Sequence, residues 1–194
     1  MSVRVRIDSL AFGGDGVGRI DRAHGAADER VVFVPHTAAG DEVLVEIVAE
    51  KKRFVRAELV EIARPSPDRV EPVCPLFAPG GCGGCQWQHV AMERQQAAKH
   101  DIVVRALAAR VERVHPLRTP VPDYGWRRRA RLGWQQDEHG GVRLGFAKER
   151  THEIVAVNDC AQLVPALDGV LAPLGGWLAD MEGVGPKGEA RLLC

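Results

Sequence analysis

The 194-residue chain is poor in aromatic side chains, which make up 5% of it, with one tyrosine and four tryptophans. That scarcity argues against a protein that grips its ligand by ring stacking alone. Net charge is missing too, because 26 basic side chains are matched by 26 acidic ones. No apolar run approaches the length of a membrane span, and the opening MSVRVRIDSL is too charged for the core of a signal peptide. A cytoplasmic protein without a membrane partner is therefore expected. Cysteines number only five. In a reducing compartment, clustered thiols bind metal more often than they pair as disulfides.

What is present is unevenly placed. Residues 1–70 carry 11 basic and 12 acidic side chains and residues 151–194 carry 2 and 6, whereas residues 94–131 carry 10 and 3. A basic middle between neutral and acidic ends predicts a local surface for a polyanion.

The first sixty residues read as short strands. VRVRIDSLAF alternates at its start, GGDGVG supplies turn chemistry, VVFVP is a compact β run, and DEVLVEIVAE and RFVRAELVEI alternate over most of their length. Five short strands with no helix fit a small closed barrel of OB type over residues 1–63. ARPSPDRVEP opens a linker and cysteine-loop segment over residues 64–92. Residues 93–194 read as an antiparallel α+β domain. It begins with a helix from Glu93 to Val111, with Val103, Leu107 and Val111 on one face. Pro116, Pro120 and Pro122 then forbid helix, and three strands run to Cys160. A short helix follows with Pro165 in its first turn, its second half weakened by Gly175 and Gly176. GVGPKGEARLLC starts another strand and stops, so the domain reads as incomplete and the chain as the N-terminal part of something longer.

In CPLFAPGGCGGCQWQH, Cys74, Cys82 and Cys85 fall within twelve positions, and Cys160 lies far downstream. Zinc held by four cysteines usually sits between two C-x2-C knuckles, and this chain has one. Three close cysteines and one distant one favour iron–sulfur ligation, with zinc left open and the number of irons unfixed. The glycines around Cys82 let the backbone curl close to whatever is bound. Taken alone, Cys160 reads as a core residue, and Cys194 has no assigned role. A catalytic thiol at Cys85, four residues before His89, is disfavoured because its neighbours would trap it as a disulfide.

Two segments interleave cations with rings. Lys51, Lys52, Arg53 and Arg56 surround Phe54, which suits a phosphate backbone plus a base. In YGWRRRARLGW, a strand would place Arg127, Arg129 and Arg131 on one face, with Arg128, Ala130 and Leu132 on the other. Together with a barrel, the two segments favour nucleic acid over a merely solvated surface.

With CPLFAPGGCGGCQWQH, GWRRRARLGW and LGFAKERTHEIVAVNDC in this order after a barrel, the chain resembles the RNA (uracil-5-)-methyltransferases with an N-terminal TRAM domain, of the type that modifies 23S ribosomal RNA. The resemblance implies a [4Fe-4S] cluster on Cys74, Cys82, Cys85 and Cys160, and RNA held by the barrel and the arginine strand. A monomer is expected. The family's S-adenosylmethionine-binding Rossmann-like domain, nucleophilic cysteine and general-base glutamate lie C-terminal to these segments. No glycine-rich strand-to-helix loop for that cofactor is visible here, so neither catalytic nor S-adenosylmethionine-binding residues are expected in this chain. The alternative expectation is a stand-alone, non-catalytic iron–sulfur or zinc protein that binds RNA.

Overall fold

The computed structural model describes residues 2–20, 30–119, 122–139, 141–181, 183 and 185–194. Strands β1 (Ser2–Leu10), β2 (Gly16–Ile20), β3 (Val31–Val34), β4 (Glu42–Glu50) and β5 (Phe54–Arg64) close into a barrel in the order β1-β2-β3-β5-β4. The β3–β5 pairing is parallel, with Phe33 opposite Arg56. Alternation along the strands buries Val5, Ile7, Val32, Val34, Val43, Val45 and Val55 completely. Each such side chain contributes about 1.5–3 kcal/mol by leaving water. At Gly18, a Cβ would collide with the Arg6 carbonyl of the neighbouring strand, so the close β1–β2 approach requires glycine.

Helix α1 (Met92–Leu107) is shorter than expected and buries a different face. Val103 and Val111 are exposed, while Ala98 packs with Leu10, Ala38, Val90 and Trp87. The reason lies at its first turns, where the Gln95 amide donates to the Trp87 and Val90 carbonyls at 3.0 and 2.9 Å. The helix is thus fixed by its N-terminal half.

A second sheet joins β6 (Arg129–Gln136), β7 (Val142–Ala147), β8 (Ile154–Ala156) and β9 (Lys187–Leu193) in the order β8-β7-β6-β9, antiparallel throughout. The strand that the sequence starts at its end, β9, is paired along β6 from Arg129 to Gln135. One face of the sheet supplies Ala130, Leu132, Trp134 and Leu144 to a core completed by Leu163 and by helix α2 (Pro165–Asp180). Neither Pro173 nor the glycine pair ends α2. Leu167, Leu171, Leu174 and Leu178 recur at helical spacing against the sheet and hold it to its full length.

The chain divides into two compact units, residues 1–72 with 86–118 and residues 73–85 with 119–194. Helix α1 therefore belongs with the barrel and the cysteine loop with the second sheet, so the division does not follow the segments 64–92 and 93–194. Among the described residues, no helix is long and apolar enough to cross a membrane.

Candidate functional site

The second unit gathers all four candidate metal ligands. Its loop is shaped by its own backbone: Phe77 N donates to Cys74 O at 3.0 Å, Cys82 N to Leu76 O at 3.0 Å and Gly81 N to Ala78 O at 2.8 Å. It then docks on the β7–β8 turn through Gly83 N to Ala147 O and Glu149 N to Gly81 O, both 3.0 Å. A Cβ at Gly83 would stand 3.0–3.2 Å from the backbone of Ala147 and Glu149, and one at Gly81 would collide with the Leu76 carbonyl. These two glycines answer to packing. Cys160 arrives from the segment before α2, its amide donating to Asp168 Oδ1 at 2.6 Å and its carbonyl accepting from Leu163 N at 2.9 Å.

The four thiols are half-buried and lie within reach of one another's charge. Burial pushes the Cys82 thiol up, with Cys85, Cys74 and Cys160 adding to the rise and the Gly84 amide opposing it. Burial also raises Cys160, reinforced by Cys85 and opposed by the Gln162 and Leu163 amides and by Arg127. Tyr124 is raised by burial and then by the charges of Cys85, Asp123 and Cys74, so it borders the same neighbourhood. Thiols that resist sharing negative charge form a donor set that a cationic metal group would relieve. Among the described residues, no group of three or more histidines, cysteines, aspartates or glutamates is arranged to hold a metal ion.

The first unit carries the first cationic segment. Lys51, Lys52 and Arg53 form the exposed β4–β5 turn, closed by Lys51 N donating to Phe54 O at 2.9 Å. Phe54 and Arg56 follow on the outer face of β5. The Arg56 guanidinium lies over both Phe33 and Phe54, at 6.0 and 5.9 Å from the ring centres, and the rings meet edge to face at 5.7 Å. Sequence reasoning missed Phe33. The alternation of VVFV could have found it, since Val32 and Val34 point inward and Phe33 must point out.

In the second unit, Arg129 and Arg131 are exposed on β6, opposite buried Ala130 and Leu132. Arg127 does not extend that exposed row: it precedes the strand, is half-buried and is bridged to Leu163. Its guanidinium lies over Trp126 at 5.7 Å, and its charge acts on Cys160. Arg131 Nε stands 3.3 Å from Glu189, whose other oxygen lies 2.6 Å from Arg191 Nε. A groove of about 690 Å³ opens here, lined by residues that include Arg131, Gln135, His152, Ile154 and Lys187.

The TRAM domain family model matches residues 2–60. The chain is 36% identical to the 23S rRNA (uracil(1939)-C(5))-methyltransferase of Photorhabdus laumondii over 98% of its own length and 42% of that protein's. It is 34% identical to the enzyme of the same description from Halomonas elongata, over 96% of this chain and 38% of that one. The crystal structure of Pyrococcus abyssi tRNA (uracil-54, C5)-methyltransferase in complex with S-adenosyl-L-homocysteine is similar with a TM-score of 0.60 and 27% identity, over 91% of this chain and 36% of that chain. The chain spans about two fifths of the length of these relatives. Over nearly its whole length the chain is thus similar to part of the RNA (uracil-5-)-methyltransferases, and its residues 2–60 match the TRAM domain family.

Proposed function

We propose that this chain is the RNA-holding, cluster-bearing N-terminal part of a cytoplasmic, monomeric enzyme that forms 5-methyluridine in RNA, with 23S ribosomal RNA as substrate. The observation that carries this reading is the 34–36% identity to two 23S rRNA uracil-5-methyltransferases over 96–98% of the chain. S-adenosylmethionine would supply the methyl group, and no residue described here is assigned to its transfer. Lys51, Lys52, Arg53, Arg56, Arg129 and Arg131 would neutralise phosphates, and Phe54 would meet a base. Arg127 would serve RNA less directly, because it is half-buried and its guanidinium lies over Trp126. Cys74, Cys82, Cys85 and Cys160 would hold a [4Fe-4S] cluster, fixing the loop 74–85 to the segment before α2. The mutual charge of the four thiols and the amides aimed at Cys82 and Cys160 support that donor set.

The test has two measurements. The natural-length protein, purified without oxygen, should contain about four irons and four sulfides per chain, and should transfer methyl groups from S-adenosylmethionine to uridine C5 in unmodified 23S ribosomal RNA. Stoichiometric zinc with no visible absorbance would sink the cluster. Absence of methyl transfer by a fully loaded protein would sink the enzyme.

A further inference from the structure

Between β1 and β2, the sequence AFGGDG places a phenylalanine before two glycines. Phe12 is 90% exposed, the highest value among the exposed large apolar side chains of the described residues. A lone exposed ring is common and by itself means little. What sets this one apart is the rigidity of its mount and what lies beside it.

The turn is closed by Ala11 N donating to Asp15 O at 2.8 Å and Gly14 N donating to Ala11 O at 3.1 Å. Gly13 and Gly14 have φ of 103° and 104°, which only glycine adopts without strain. From outside the turn, Trp87 Nε1 donates to Gly14 O at 2.9 Å, and Gln86 packs so closely that a Cβ on Gly14 would collide with it. On the other side, Arg56 Nη1 lies 3.4 Å from Asp15 Oδ2. The turn therefore abuts the Arg56–Phe33–Phe54 group, and exposed Arg53, Lys52 and Lys51 continue from Phe54. Val17, paired with Phe33, extends the same outer face, and Arg19 stands two residues farther along β2.

We propose that Phe12 is a base-stacking residue: an unpaired base of single-stranded RNA stacks on its ring while an adjoining phosphate lies against Arg56. This rests on the reading that the chain binds RNA, and it adds where and in what form. Single-stranded rather than duplex RNA is chosen because a ring standing clear of the surface can stack only on a base whose face is free. The cations that run from Arg56 to Lys51 supply the charge complementarity that a strand's backbone needs, which an apolar protein partner would not.

The experiment measures binding of the full chain to a short, labelled, unstructured RNA across a salt series. Phe12→Ala should weaken binding about 5- to 150-fold and leave the slope of log affinity against log salt unchanged, because a neutral ring displaces no counterions. Phe12→Trp should bind as wild type does, and Phe12→Leu should bind as weakly as the alanine variant. Arg56→Ala should instead reduce the slope by about 0.7. Truncating so exposed a ring empties no core, so thermal melting should not move. Wild-type binding with Phe12→Ala unchanged, or with Phe12→Leu as good as wild type, overturns the stacking role while leaving RNA binding intact. Self-association that Phe12→Ala abolishes overturns it in favour of a protein contact. A wild-type chain with no affinity for RNA overturns the underlying reading as well.

Discussion

Asp41 has no solvent contact, yet its carboxylate accepts hydrogen bonds from Ala38 N at 2.6 Å and Ser66 N at 2.8 Å, and from Arg69 Nε and Nη2 at 2.8–3.1 Å. A buried charge persists only when paired this completely. Beside it lies buried His89, tilted against His36 with 6.3 Å between ring centres. Burial, helped by the charges of Arg69 and His36 and opposed by the Thr37 backbone and Asp41, pushes His89 down to about 4. The ring is neutral in the fold, while an unfolded chain takes up its proton near pH 6.5. Its contribution to stability is therefore complete above that value and drains away as pH falls toward 4. Unfolding free energies from urea titrations should fall more between about pH 7 and pH 5 in the wild type than in His89→Gln, by roughly 2 kcal/mol. Equal losses in the two proteins would show that His89 takes no part in acid sensitivity.

At the scale of elements, the outer face of β6 is less cationic than its sequence promises, because Glu189 of β9 lies between Arg131 and Arg191. Exposed ion pairs of this kind are weak, so a phosphate can displace the carboxylate. Replacing Arg129 and Arg131 together by alanine should lower RNA affinity and reduce the salt slope by about 1.4, or 0.7 per lost contact to a single strand. An unchanged slope would mark β6 as mere solvated surface. What was legible here was local. Strand alternation gives Ala130 and Leu132 inward, Arg129 and Arg131 outward, and the C-x2-C turn announces itself by spacing. What was not legible depends on residues far away in sequence. Only the packed fold shows that α1 buries Ala98 rather than Val103, or that Asp168 holds the Cys160 amide. Pairing with distant strands likewise sets Phe33 against Arg56 and Glu189 near Arg131. Phe12 eluded sequence reading for the opposite reason: nothing packs it, and periodicity detects only what is buried.

For the molecule as a whole, the basic stretch that reads as continuous in sequence is shared between two bodies. Arg94, Lys99, Arg105, Arg110 and Arg113 fold with the barrel, and Arg127 to Arg131 with the second sheet. The four candidate ligands all lie in the second unit, whereas the barrel core is built from Val5, Ile7, Val43 and their neighbours in the first. Cys82→Ser should therefore speed amide hydrogen exchange in residues 73–85 and around Cys160, and leave the amides of Val5 and Val43 as protected as in the wild type. Equal loss of protection in the barrel would show that the two units unfold together.

The chain leaves the first unit at residue 72, returns at 86 and leaves again after 118. On the ribosome this sets an order of events. The barrel strands emerge first, but Val90 and Ala98, which close over Leu10 and Ala38, follow only after the cysteine loop has been made. Cys160 emerges later still, seventy-five residues behind Cys85. For that interval the nascent chain holds three thiols on a short excursion from a nearly finished barrel, and the fourth does not yet exist. Completion of the thiol set is thus a late step of biogenesis, after the barrel can already have closed.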